Sequence, residues 1–260
     1  MPNRLGIRLE SLGLPLRAAL NEVSRLGVAG VQVDAVGDLA AERLSQTGRR
    51  EFRHLLRSLS LEVTALGCPL RHSLDTAENQ QPRIEYVCKT LALSYDLGAK
   101  IVIVDGPKAP QAAEPRGQLL REALNAIGSF GDRTGAALAL ETGLDSGETL
   151  AGYLATFDTG SLGVNYDPAN MLLNGFDPIE NLTPLRQWLK HVHARDAQKA
   201  RVSKTAQETA LGAGDIDWMT FVAMLETMEY RGWLVLERET GQNRLADVSN
   251  GVKFLRRFLR

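Results

Sequence analysis

Apolar residues recur along this chain in two alternating rhythms. In the first they return every three or four positions, as in Leu16, Leu20, Val23 and Leu26, or Ile84, Val87 and Leu91. Trp218, Phe221, Val222 and Leu225 repeat the pattern, and so do Val248, Val252, Leu255 and Leu259. That spacing lines one face of an α-helix. In the second rhythm a glycine precedes a short apolar run that closes on a carboxylate. It runs from Gly27 to Asp34, from Gly98 to Asp105 and from Gly135 to Glu141, with looser copies from Gly160 to Asp167 and from Gly232 to Glu237. The glycine can take the left-handed conformation that ends a helix. The run behind it is short and β-rich, as expected of a parallel strand buried on both faces.

Helix, glycine, buried strand, acid: the recurring unit is βα. It predicts strands near 5–9, 29–34, 61–66, 100–105, 136–141, 162–167, 190–194 and 233–238. Helices are predicted near 16–26, 48–59, 83–97, 115–134, 147–157, 178–189, 217–230 and 243–259, with Asp217 capping the helix that begins at Trp218. Eight strands alternating with eight helices close into a (β/α)8 TIM barrel, a fold of the α/β class, more readily than they form an open doubly wound sheet. Arg8-Leu9-Glu10-Ser11-Leu12-Gly13 after the first strand does not match a dinucleotide-binding fingerprint.

Length agrees. A barrel takes about 250 residues, and residues 1–260 are read as a single TIM-barrel domain. The formal net charge of −1 supplies no field for gathering nucleic acid or an anionic membrane. The opening Met1-Pro2-Asn3-Arg4-Leu5 has no apolar leader, and no stretch approaches the roughly 18 apolar residues of a membrane span, so a cytoplasmic location is expected. Cys68 and Cys88 are too few for a disulfide framework or a thiolate metal cage, and nothing near Cys68 lowers its pKa. The oligomeric state stays open, a homo-oligomer included.

In a barrel of this kind chemistry sits at the C-terminal mouth of the strands. Five predicted strands end there in Asp34, Asp105, Glu141, Asp167 and Glu237, and the seventh brings His191 and His193 to one side. One acid at a strand end more often meets water or caps a helix, and one histidine in a strand is more often packed than ligating. Glu141, Asp167, His193 and Glu237 are different because they end four successive strands. Carboxylates converging in a partly dry mouth repel each other unless a cation compensates. Three carboxylates and an imidazole suit one divalent ion: Mn2+, Mg2+, Co2+ or Zn2+.

Several segments resemble the xylose isomerase-like barrel superfamily, also called the sugar phosphate isomerase/epimerase family. They are Leu138-Ala139-Leu140-Glu141, Val164-Asn165-Tyr166-Asp167-Pro168, His191-Val192-His193-Ala194-Arg195-Asp196 and Leu211-Gly212-Ala213-Gly214-Asp215-Ile216-Asp217, followed by Tyr230 to Glu237. The resemblance implies Glu141, Asp167, His193 and Glu237 as metal ligands, with Glu141 and Glu237 also acting as the acid/base pair. The ion would acidify a C–H beside a carbonyl, one carboxylate would take the proton to give an enediolate, and its return on the opposite face or at the neighbouring carbon would give an epimer or an isomer.

One departure stands out. Where the family has a histidine three residues after the aspartate of strand six, this chain has Asn170. The chain holds only four histidines, His54, His72, His191 and His193, which counts against the multi-zinc apurinic endonuclease branch. Asn170, His191 and, in the loop after strand seven, Arg201 are the candidate substrate contacts. The expected activity is therefore a metal-dependent isomerase or epimerase of a small sugar or related polyhydroxy carbonyl compound. The alternatives are, in order, an inosose dehydratase-type lyase, a non-catalytic metal-binding barrel and an apurinic endonuclease-like nuclease.

Overall fold

A computed structural model of the chain describes residues 4–110, 114–200 and 205–259. Its strands are β1 (Arg4–Arg8), β2 (Gly30–Asp34), β3 (Glu62–Gly67), β4 (Ile101–Asp105), β5 (Ala137–Glu141), β6 (Leu162–Tyr166), β7 (Leu189–Ala194), β8 (Asp196–Gln198), β9 (Gln207–Thr209) and β10 (Trp233–Leu236). Apart from β8 and β9 they form one closed parallel barrel, each strand beside its neighbour in the chain, with β10 sealing the ring between β7 and β1. The helices outside it are α1 (Leu16–Arg25), α2 (Gln46–Ser58), α3 (Gln80–Leu97), α4 (Pro115–Thr134), α5 (Gly147–Leu154), α6 (Pro168–Leu173), α7 (Trp218–Thr227) and α8 (Arg244–Leu255).

Alternation along each strand splits the apolar residues into two cores. The larger lies between strands and helices and holds residues such as Val31, Val102, Leu138, Val164 and Leu234, each fully buried. The smaller lies inside the barrel, where Ala65, Ile103 and Ala139 meet. Near the floor Gly30 lets the Trp233 ring cross beneath it, since a Cβ there would sit 2.5 Å from the ring. Above that level the inward positions turn polar, and the site is built on them.

The register slips by one residue at two places, between Val31 and Gln32 where β2 meets β3, and between Val164 and Asn165 where β6 meets β7. A bulge re-aims the side chains next to it. Gln32 and Asn165, both buried, enter the site from these two slips.

The predicted helix over 178–189 is absent. A 3-10 segment over Thr183–Trp188 replaces it, with Pro184 at its start. Proline inside that span has no N–H to donate and crowds the preceding turn, and Asp177 further holds the chain in a turn by accepting from the amides of Ile179 and Glu180. The short α6 falls where a loop was expected. Its signal is Asp167-Pro168, an N-cap followed by proline at the first helical position; Asp167 Oδ1 accepts from the Asn170 amide at 2.8 Å. The antiparallel β8–β9 hairpin was not foreseen either. Asp217 does cap α7, accepting from the Thr220 amide. Gly98 ends α3 with φ 85°, as the glycine rule predicts, whereas Gly232 keeps negative φ and Glu229 takes the left-handed turn before β10. Among the described residues no helix is long and apolar enough to cross a membrane.

Candidate metal centre

Glu141 ends β5, Asp167 follows β6, His193 lies in β7, and Glu237 follows β10 with its amide donating to the Ala194 carbonyl at 3.2 Å. Each offers one ligand atom, and these atoms all lie within 4.8 Å of one another. His193 Nδ1 is 2.6 Å from Glu237 Oε2, 3.6 Å from Glu141 Oε2 and 3.7 Å from Asp167 Oδ2. Asp167 and His193 are fully buried and Glu237 nearly so, while Glu141 keeps one edge toward the mouth.

The orientation of His193 is set from its far side. Nε2 lies 2.9 Å from Gln32 Oε1, an acceptor, which assigns the hydrogen to Nε2 and turns Nδ1 toward the three carboxylates. Asn165 sits beside it, Nδ2 at 2.9 Å from His193 Nδ1 and 3.4 Å from Glu141 Oε2. Glu141 Oε1 accepts from Asn170 Nδ2 at 2.6 Å.

The electrostatics are those of buried carboxylates crowded around one imidazole. Burial pushes the Glu141 carboxyl up; His193 opposes this, but Glu237 and Asp167 add to it, and the result is about 8. Burial lowers the proton affinity of His193, yet Glu237, Asp167 and Glu141 outweigh it and raise the imidazole to about 10. Burial also works against an ionised Glu237, but His193, Arg8 and Arg195 hold it well below the usual carboxylate range. Arg8, from β1, pairs with Glu237 Oε1 and lies 3.1 Å from Asp34 Oδ2.

The residues fit a divalent ion. Glu237 Oε2 is buried and aimed into the cluster, where the His193 imidazole at 2.6 Å is the one donor that can reach it among the described residues. Three carboxylate oxygens and one imidazole nitrogen are an ordinary donor set for Mg2+, Mn2+, Co2+ or Zn2+. Beside the cluster opens a cavity of about 160 Å³ bordered by Arg8, Asp34, Asp105, Glu141 and Glu239. That is below the range of about 300–1,000 Å³ usual for pockets that hold drug-sized ligands, and it suits a small compound.

The other predicted contacts fare differently. Asn170 reaches the site, bonded to Glu141 and accepting from Arg195 Nη1 at 2.9 Å. His191 lies one layer deeper and is fully buried, with Nδ1 at 2.9 Å from Asn165 Oδ1 and Nε2 at 3.4 Å from Thr64 Oγ1. Burial drives its pKa well down and His193 adds to the effect, so it is neutral. Arg201 lies outside the described residues. His72 is exposed, and Cys68 is buried with its thiol pushed up to about 12, as an inert cysteine should be. Gln32, Arg8 and Asn165 were not singled out by spacing. A signal for Gln32 exists: a lone amide between Val31 and Val33, two residues before Asp34 and so on the same inward face.

The sequence pattern described as xylose isomerase-like TIM barrel matches residues 20–258. An inosose dehydratase of Geobacillus thermodenitrificans is 23% identical over 221 residues, covering 73% of this chain and 74% of its own length. The crystal structure of a xylose isomerase domain protein from Planctomyces limnophilus superposes with a TM-score of 0.87 at 24% identity, over 99% of this chain and 98% of that one. A D-tagatose 3-epimerase-like protein superposes with a TM-score of 0.79 at 15% identity, over 98% of each chain. At these identities the two structural likenesses speak to the fold.

Proposed function

Because the chain belongs to the xylose isomerase-like TIM barrel family, we propose that it moves a proton at the carbon beside the carbonyl of a small polyhydroxy compound, dependent on one divalent ion, and releases an isomer or epimer. The observation that carries this reading is the placement of two glutamates. Glu141 on β5 and Glu237 after β10 flank the cluster from either side, with Asp167 just after β6 and His193 on β7 between them. Bound by these four residues, a divalent ion would supply the Lewis acidity that polarises the carbonyl and acidifies its neighbouring C–H.

The chain's own groups do the rest. Glu237, kept ionised by its cationic neighbours, takes the proton, leaving an enediolate. Glu141, held on its two oxygens by the amides of Asn170 and Asn165, stands across the cluster to deliver a proton drawn from solvent, while Glu237 gives up the abstracted one to water. Return to the opposite face of the same carbon gives an epimer, and return to the adjacent carbon gives an isomer. A second reading shares the first step and then expels a β-hydroxyl as water; the likeness to an inosose dehydratase over 73% of the chain favours it.

The test is a panel of ketoses and inososes incubated with ion-loaded protein in D2O. Deuterium gained by a compound of unchanged formula supports the isomerase or epimerase; loss of water supports the dehydratase. A panel that shows neither exchange nor loss of water would sink both.

A further inference from the structure

Barrels of this class often hold phosphate groups in the loops after their seventh and eighth strands. Here those loops carry an anion of the chain's own. The Glu208 carboxylate, on β9, accepts from the amides of Glu239 at 2.9 Å and Thr240 at 2.7 Å, and from the Thr240 hydroxyl. Arg195 Nε donates to it at 3.3 Å, and Arg238 Nη1 lies 3.3 Å away. Its side chain is 3% exposed. Two backbone amides, a hydroxyl and two guanidinium groups are the donors that recognise a phosphate or carboxylate, and a side chain of this protein already fills the place.

Arg195 joins that place to the four-residue cluster, and each nitrogen of its guanidinium is engaged. Nη1 donates to Asn170 Oδ1 at 2.9 Å and lies 3.5 Å from Asp167 Oδ2, while Nη2 donates to Glu239 at 2.6 Å. The cavity beside Glu141 is no better suited to an anion. Among its described lining residues Asp34, Asp105, Glu141 and Glu239 are acids and Arg8 is the one base, itself paired with Glu237 and Asp34.

We infer that the site takes uncharged polyhydroxy ketones, open-chain or cyclic, bearing neither phosphate nor carboxylate, and that Glu208 is the specificity residue that closes the anion position. This rests on the proton-transfer reading. A charged substrate would have to expel Glu208 from four hydrogen bonds and its ion pair with Arg238, or sit against the carboxylates of Asp34, Asp105 and Glu239.

Two measurements separate this inference from the reading beneath it. In the first, chelator-treated protein is titrated calorimetrically with inorganic phosphate, so that no reaction is involved. Wild type should show no saturable binding up to millimolar phosphate, and Glu208→Ala, with its fold verified by circular dichroism, should bind at least about tenfold more tightly. Saturable binding by wild type overturns the inference, as does a folded Glu208→Ala that gains none; the wild-type arm decides even if the variant fails to fold. In the second, ion-loaded wild type in D2O is offered free ketoses, inososes and the corresponding phosphates. Exchange favouring the free compounds by at least about tenfold is expected. Exchange favouring the phosphates overturns the inference and leaves proton transfer standing. Exchange with none sinks the proton-transfer reading, while the phosphate titration still decides whether Glu208 closes an anion site.

Discussion

An imidazole ligates a cation through one nitrogen, and the group met by its other nitrogen decides which. In His193 that group is Gln32, at 2.9 Å from Nε2. Gln32→Met keeps the volume and removes the acceptor, so ion affinity should fall by about 10–100-fold with the fold intact. Calorimetric titration with Mn2+ checks this, and unchanged affinity would refute the positioning role. Glu237→Gln should fold and still lose substrate exchange by at least about 100-fold, since an amide cannot take up the proton; exchange at the wild-type rate would refute its assignment as base. Protons compete with the ion here. Without a cation Glu141 titrates at about 8 and His193 at about 10, so both hold protons at neutral pH and must lose them to become ligands. Ion affinity should therefore climb as pH rises from 6 toward 9. Titrations in buffers of different ionisation enthalpy should reveal proton release at pH 7, and an ion that binds without releasing protons would contradict these shifts.

At the scale of elements, the strands are held by what they bury on their outer face and the helices by how they end. Leu138 on β5 is fully buried against the helical layer, and Leu138→Ala should cost about 2–5 kcal/mol in urea unfolding. Ser146 accepts from the Thr149 amide at the start of α5, and Ser146→Ala should cost about 0.5–2 kcal/mol. A ranking in which the cap outweighs the core leucine would contradict this division. The same scale explains the one helix that sequence periodicity misplaced. Leu182, Leu185 and Leu189 keep an apolar spacing, but Pro184 and the Asp177 turn remove the backbone bonds an α-helix would need, and only a 3-10 segment forms. Asp167-Pro168 works the other way: two residues that start a helix produce α6 without a long apolar stripe, and α6 carries Asn170 to Glu141.

For the whole molecule, the four cluster residues draw together β5, β6, β7 and β10, half of the barrel's circumference. An ion that binds only the closed barrel stabilises it by about 2.7 kcal/mol when present at a hundred times its dissociation constant. Chelator should therefore lower Tm, and excess Mn2+ or Mg2+ should restore it; a Tm indifferent to both would argue against an ion in the cluster. The buried network around His193, which runs through Asn165 to His191 and Thr64, links the mouth to the barrel floor, so the loss should be a single cooperative shift.

Local order alone was enough to determine the alternation of strand and helix, the closing count of eight and the acids at the strand ends, because hydrophobic period, glycine and cap chemistry act over a few residues. Three of those acids, with His193, could be named as partners, through a resemblance carried by motifs in the second half of the chain. What only the tertiary structure decided depends on distance through space. Gln32 and His193 are 161 positions apart in the chain, yet their side chains meet at 2.9 Å, and two slips of strand register aim Gln32 and Asn165 inward. Arg8 reaches Glu237 and Glu208 fills the anion position only because the ring closes, bringing β1 beside β10 and folding the β8–β9 hairpin over the loop after β10. No periodicity encodes such contacts, since each depends on the summed twist and register of the whole barrel.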